Sequence, residues 1–412
     1  MTEPICRFCR TPLDLDLIDL GQQPLSNAYL TRAQLDAGSE GFYPLHARVC
    51  EACWLVQVDD PVAHDAIFDD DYAYFSSYSA SWVAHAGRYA GAMARRFDLG
   101  PSSLVAEVAS NDGYLLQHFV EMGIPVLGIE PTANTAAAAT AKGVPTEVTF
   151  FNAATGKVLA ARGVAADLMA ANNVLAHVPD IADFVAGFPL VLKPEGVLTF
   201  EFPHLLKLIE LVQFDTIYHE HFSYLSLLAV EKVLAANGMK AFDVEQLPTH
   251  GGSLRLFCAH ADSRHAETQA IRDLRAAELT AGLDSREPYA SFSPKAEAVR
   301  DGFLAFLDQA EAEGKSVAAY GAAAKGNTFL NYAGVAAPRI SAVFDANPHK
   351  QGRYLPGSHV PILAPSEVTA VRPDYLVILP WNLKAEIMEQ MAVVRDWGGQ
   401  FVIAVPQVEI LD

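Results

Sequence analysis

The sequence predicts an α/β protein in three parts: a small cysteine-anchored N-terminal segment, then two separate units of alternating strands and helices. Three observations carry this. Apolar runs of strand length alternate with helical segments from Ser102 to about Cys258, the alternation starts again near Ser316, and two Cys-x-x-Cys pairs stand apart from both within the first 65 residues. Length agrees, because 412 residues at about 150 per domain make two or three domains.

Residues 1–65 are turn-rich, with little regular periodicity of their own. Cys6-Arg7-Phe8-Cys9 and Cys50-Glu51-Ala52-Cys53 supply four thiolates that can close a tetrahedron around Zn²⁺, replacing the core so small a segment lacks. Cys6, Cys9, Cys50 and Cys53 are therefore the expected metal ligands of a structural zinc, with unligated thiols as the bland alternative. Cys258 lies in an apolar strand and reads as a buried small hydrophobe. Residues 66–100 hold a connecting helix, Ser79 to Leu99, on the spacing of Trp82, Val83, His85, Tyr89, Met93 and Phe97.

The unit at 101–262 has predicted strands at Leu104–Ala109, Val126–Glu130, Glu147–Phe150, Asp167–Ala171 and Val197–Phe202, a mostly parallel sheet with helices on both faces. Its helices include Tyr114–Met122 and an alanine-rich one capped by Thr132. Ala241–Val244 and Ser253–Cys258 are expected as an antiparallel pair at one edge. Residues 263–312 are helical and charged, as suits a linker. The last unit, 313–412, has predicted strands at Ser316–Tyr320, Ser341–Phe344, Tyr375–Leu379 and Phe401–Val405.

With 29 basic against 49 acidic residues the net charge is −20, a field that repels phosphate backbones and anionic lipid, so neither nucleic acid nor membrane is an expected partner. No apolar run reaches the roughly 18 residues that span a bilayer, and Met1-Thr2-Glu3-Pro4 lacks the pattern of a signal peptide. A cytoplasmic protein is expected; a monomer is compatible with the sequence, which leaves the oligomeric state open.

The strand 104–109 runs through Glu107 into the turn Ala109-Ser110-Asn111-Asp112-Gly113, at the sheet edge where open α/β folds bind ligands. One glycine replaces the G-x-G-x-x-G of a dinucleotide site, and Glu107 and Asp112 repel a diphosphate; acidic neighbours suit a cation. Glu130 ends the next strand, where a carboxylate can hold both hydroxyls of a ribose. A ribose acceptor without phosphate glycines suggests S-adenosylmethionine. The alternative is that these are ordinary polar strand ends.

Tyr218-His219-Glu220-His221 concentrates titratable groups after another strand and is not the H-E-x-x-H of a zinc helix. Glu220 beside His221 reads as a base with its orienting partner, and His177, in Asn172-Asn173-Val174-Leu175-Ala176-His177, follows a second strand end that can face the same cleft. In the last unit three loops after strands carry Lys325, Lys350, Arg353, Asn382 and Lys384. On one parallel edge they would gather a basic diphosphate site, against the alternative of a solvated rim.

In this order the motifs resemble the sugar C-methyltransferases that act on nucleotide-linked 4-keto deoxysugars. The resemblance runs over nearly the whole chain: the cysteine pairs, Gln-Pro-Leu-Ser at Gln23 to Ser26, Asn-Asp-Gly at Asn111 to Gly113, and Asn-x-Leu-x-His-x-Pro at Asn173 to Pro179. It continues in Ile217 to Phe222, in His250-Gly251-Gly252 and in Tyr320 to Lys325. It implies a zinc-binding domain, a central Rossmann-like domain for S-adenosylmethionine, and a second Rossmann-like domain that receives a nucleotide sugar. Donor contacts are then expected from Glu107, Ala109, Ser110, Asn111, Asp112, Gly113, Glu130, Asn172 and Asn173. His221 would be the base, with Glu220, Tyr218 and His177 beside it. Tyr72, Tyr74, His250, Gly251, Lys325, Lys350, Arg353 and Asn382 would line the sugar nucleotide. Two departures stand out: Ala109-Ser110 where the family carries glycine, and His219 at the variable place of Tyr-x-Glu-His.

The implied chemistry is methylation at C3, where the 4-keto group acidifies the C–H and a base generates the enolate. O- or N-methylation of a related small molecule, a nicotinamide-dependent nucleotide-sugar oxidoreductase and a non-catalytic zinc module are the competing readings.

Overall fold

The computed structural model describes residues 4–59 and 75–411. Three antiparallel strands, β1 (Leu15–Gln23), β2 (Tyr43–Val49) and β3 (Val56–Val58), form a sheet where the sequence shows little periodicity. The reason lies in β1, whose register slips between Asp16 and Ile18 and again between Asp19 and Gln22. Leu15, Leu17, Ile18 and Leu20 are all buried in consequence, and the period-two signal is lost.

The connecting helix runs Ala80–Arg96, started by the Ser79 side chain, which accepts the Trp82 N–H. It buries Ala86, Tyr89, Ala90 and Met93, and the Tyr89 hydroxyl meets Thr199 Oγ1 at 2.6 Å, so the helix packs on the middle sheet.

That middle region contributes β4 (Val105–Val108), β5 (Val126–Glu130), β6 (Thr146–Val148), β7 (Ala166–Asn172), β8 (Leu192–Pro203), β9 (Ser223–Tyr224), β10 (Met239–Leu247) and β11 (Ser253–His260). Seven of these form one sheet, in the order β10-β11-β8-β7-β4-β5-β6, with the expected antiparallel pair at its edge. The strand expected at Glu147–Phe150 ends early, at Val148, because its partner β5 ends opposite it at Glu130. The helix expected from Tyr114 spans only Leu116–Glu121. Thr132 precedes the helix Ala133–Ala141 but does not cap it; its hydroxyl turns instead to Glu130 Oε1 at 2.5 Å. Strand order reverses between β4 and β7, which opens a crevice at their carboxyl ends. The exception is β9, which leaves to pair with β3 of the first sheet through Val56–Tyr224 and Gln57–Ser223.

The last sheet comprises β12 (Val317–Tyr320), β13 (Val343–Phe344), β14 (Ile362–Leu363), β15 (Tyr375–Ile378), β16 (Gln400–Ile403) and β17 (Glu409–Leu411), ordered β14-β13-β12-β15-β16-β17 and parallel except for β17. Residues 263–312 are not a loose spacer. The helix Phe292–Ala312 carries an apolar stripe of Phe292, Ala296, Val299, Phe303, Phe306, Leu307 and Ala310. It lies in one continuous core with Leu15 and Leu45 of the first sheet and Val343 and Val377 of the last.

Candidate active site

Four sulfurs meet at the tip of the first sheet. Cys6 and Cys53 Sγ are 3.6 Å apart, Cys9 and Cys50 Sγ 3.4 Å, and all four lie within 4.8 Å of one another. A tetrahedron with Zn–S bonds of about 2.3 Å has edges near 3.8 Å, so the set fits that ion. Hydrogen bonds from Cys50 and then Cys53 hold the Cys6 thiol far below its ordinary range. Cys258 is fully buried, and burial pushes its thiol upward, as an inert core residue requires.

After β4 the backbone enters the left-handed region at Ala109 (φ 56°), Asn111 (φ 49°) and Gly113 (φ 75°). Gly113 is required there, since a Cβ would press on Ala139 and Val144 at 3.2 Å. Ala109 holds a conformation that costs a residue with a side chain about 1–2 kcal/mol. Glu130 ties the turn down: its carboxylate accepts the Asn111 N–H at 2.9 Å and the Thr132 N–H at 3.0 Å. Glu107 is 1% exposed, and burial, reinforced by Glu130 and Asp112, raises its carboxyl well above the usual range. Ser110 is buried beside them, and Asn173, also left-handed at φ 53°, follows Asn172 at the end of β7 and donates its N–H to the Glu201 carbonyl at 2.7 Å. Asp112 is buried in the same turn, where its carboxylate accepts from Lys142 Nζ at 2.9 Å and from the Ser77 hydroxyl.

His221 takes two contacts. Its Nδ1 lies 3.1 Å from the Thr216 carbonyl and its Nε2 2.9 Å from the Tyr218 hydroxyl. A carbonyl only accepts, so Nδ1 carries the proton and the Nε2 lone pair receives the Tyr218 O–H. The His177 ring stands perpendicular at 4.6 Å. Burial, then the neighbouring His177, push His221 well below the ordinary histidine range, so it is neutral at pH 7. Glu220, expected to orient His221, faces away. Its two oxygens accept from Asn27 Nδ2 at 2.8 and 3.0 Å, and the Thr216 carbonyl takes the orienting role. His219 is an anchor to the first sheet, 3.2 Å from the Pro44 carbonyl.

His250, left-handed at φ 55°, lies 5.7 Å from the Trp82 ring and is pushed down to about 4 by burial. Gly251 (φ 87°) lies under the Trp381 indole, with no room for a Cβ. Gly251→Ala should therefore pry the middle and last units apart at this point and lower turnover about tenfold or more, with the melting temperature as the control for folding. The expected four-cation cluster is divided. Lys325 Nζ lies 2.7 Å from Asn382 Oδ1 and 4.7 Å from the Trp381 ring, beside the histidines. Lys350 donates to the Ala322 carbonyl at 2.7 Å and, with exposed Arg353, surrounds Tyr29. Lys384 opens the helix Lys384–Gln390 and is turned to Glu409 at 3.7 Å. Tyr72 and Tyr74 lie outside the described residues.

Sequence reasoning missed Glu201, Arg255 and His85. Glu201 is fully buried, with Arg255 Nη2 at 2.8 Å and His85 Nε2 at 3.1 Å. The signal was available: a glutamate and an arginine each interrupt an apolar strand, and the two are direct cross-strand partners.

Three family models match in succession: the "Putative zinc binding domain" over residues 6–68, the methyltransferase domain over 84–244, and the C-methyltransferase C-terminal domain over 248–406. The chain is 34% identical over 406 residues to the C-methyltransferase NovU of Streptomyces niveus, covering 98% of this chain and 96% of that one. Over 150 residues, 31% of this chain and 59% of the relative, it is 27% identical to the ubiquinone biosynthesis O-methyltransferase of Rhodopseudomonas palustris. Among solved structures, the 1,6-didemethyltoxoflavin-N1-methyltransferase of Burkholderia thailandensis superposes with a TM-score of 0.37 at 17% identity, over 50% of this chain and 95% of that one. A match that runs nearly end to end, through the cysteine centre and both larger sheets alike, makes this chain a member of the C-methyltransferase family.

Proposed function

We propose that the chain methylates C3 of a nucleotide-linked 4-keto deoxysugar, with S-adenosylmethionine as donor. The observation that carries the reading is the neutral His221, its Nε2 lone pair turned toward Tyr218, with His177 from the turn after β7 and Lys325 from the last unit as neighbours. A saturated ring carbon is no nucleophile until a proton is lost, and the 4-keto group delocalises the resulting charge onto oxygen. With substrate bound, the Tyr218 O–H leaves Nε2; His221 Nε2 then takes the C3 proton, and Tyr218 or His177 donates a hydrogen bond to the developing enolate oxygen. When bound, S-adenosylmethionine supplies an electrophilic methyl group.

Glu107, Glu130, Asn172, Asn173 and the turn from Ala109 to Gly113, Asp112 included, would hold the donor. Buried carboxyls there favour a cation, and Glu130 offers its remaining lone pairs to ribose hydroxyls. Lys325, with Asn382, His250 and Gly251, and the Lys350–Arg353 group around Tyr29 would hold the sugar nucleotide. Cys6, Cys9, Cys50 and Cys53 would hold zinc with all four positions filled by thiolates, so its role would be in the fold.

The test is product analysis: incubation with methyl-labelled donor and nucleotide 4-keto sugars should give a product heavier by one methyl, attached to carbon. Label on oxygen or nitrogen, or none, removes the reading. Because His221 titrates well below 6.5, its active neutral form persists through neutral pH. The pH profile of kcat/KM should be flat there and fall only on the acid side of 6.5; a limb at or above 6.5 assigns the base elsewhere.

A further inference from the structure

We infer that Trp381 and Asp215 form a positioning pair that fixes the tautomer of His221 from across the junction between the middle and last sheets; the inference rests on the reading of His221 as the base. Trp381 opens a single turn, Trp381–Leu383, just beyond the carboxyl end of β15. Its indole Nε1–H donates to Asp215 Oδ2 at 2.7 Å. Asp215 is 1% exposed and lies in the turn Phe214–Thr216, whose last residue gives its carbonyl to His221 Nδ1 at 3.1 Å. The path from indole to imidazole is thus two hydrogen bonds joined by the Asp215 side chain and the backbone from Asp215 to the Thr216 carbonyl.

The last unit also grips the other side of that carbonyl. The Thr328 hydroxyl donates to the Ile217 carbonyl at 3.0 Å, so Thr216 is flanked by two residues held from the same partner. Gln213, one residue before the turn, donates its side-chain amide to the Gly251 carbonyl at 2.9 Å, directly under Trp381. A buried carboxylate is a poor stabiliser: an apolar residue of similar volume often serves a core equally well. Asp215 is explained by what it holds.

Tautomer control matters because proton loss from C3 needs a lone pair on Nε2. If the Thr216 carbonyl drifts, the imidazole can carry its proton on Nε2 and no base remains at that atom. The groups facing His221 are His177 on the turn after β7, Tyr218 and Tyr224 on its own segment, His250 on the loop before β11, and Lys325 from the last unit. None of these is a carboxylate that would hold Nδ1–H in place of the Thr216 carbonyl. Asp215 itself faces Lys325, which rests on the Trp381 ring.

Trp381→Phe keeps a ring over Gly251 and beside Lys325 while deleting the N–H; Asp215→Asn keeps an acceptor oxygen. In ¹⁵N-histidine-labelled protein, long-range ¹H–¹⁵N spectra should show His221 protonated on Nδ1 alone in the natural chain and in Asp215→Asn, and a mixture of tautomers in Trp381→Phe. Turnover of Trp381→Phe should fall by about ten- to a hundredfold, with KM for S-adenosylmethionine unchanged. A folded Trp381→Phe protein whose His221 stays wholly Nδ1-protonated overturns the inference. Should that variant not fold, Asp215→Leu carries the same test. The spectra need no turnover, so a natural chain that methylates no ketosugar would remove the functional reading and still leave the positioning pair decided.

Discussion

A His221→Ala protein binds the methyl donor as tightly as the natural chain and transfers methyl groups about 10²–10⁴-fold more slowly, the range that a positioned general base contributes. Donor affinity is spared because the imidazole is held by Thr216 and Tyr218, whereas the turn after β4 is tied down by Glu130. The more telling measurement is exchange of the C3 hydrogen with solvent deuterium in the absence of donor. The natural chain should exchange it and His221→Ala should not, since exchange reports proton removal alone. A variant that keeps full turnover takes histidine out of the mechanism. Glu220→Gln should be far milder for the proton step, because that carboxylate is turned to Asn27.

The second large effect is loss of the metal. Cys50→Ser should take zinc from one ion per chain to nearly none, and unfold at a temperature well below the natural chain, because structural zinc contributes about 10–16 kcal/mol to small cysteine sites. That exceeds the roughly 0.5–3 kcal/mol of an ordinary substitution. Activity should vanish with it although no cysteine touches the crevice. Gln57 donates to Cys6 Sγ at 3.4 Å and pairs in β3 with Ser223, while Arg7 lies over the Phe222 ring, next in sequence to His221. Metal analysis with a thermal melt checks this. A Cys50→Ser protein with natural stability would show that the thiols are ordinary core residues.

Much of this arrangement was legible in the sequence wherever the information is local. Val126–Glu130 ends at the carboxylate that anchors the turn, the cysteine pairs meet, and His177 and His221 face each other as their strand ends suggest. What was illegible depends on docking. Asn27 reaches Glu220 across 193 residues and Trp381 reaches Asp215 across 166, and neither pairing leaves a mark in periodicity. Lys384 looked like a member of a cationic edge until helix direction turned it to Glu409. Strands of two residues, such as β9 and β14, are too short to alternate at all.

The pairing of β3 with β9 bears on biosynthesis. Val56 waits for Tyr224, which is 224 − 56 = 168 positions later, so a ribosome adding about 5–20 residues per second leaves that strand edge uncovered for roughly 8–34 s. During this interval the nascent chain carries reactive thiols and a bare hydrogen-bonding edge together. Early capture of the ion by the emerging cysteines would shield both from neighbouring polysomal chains.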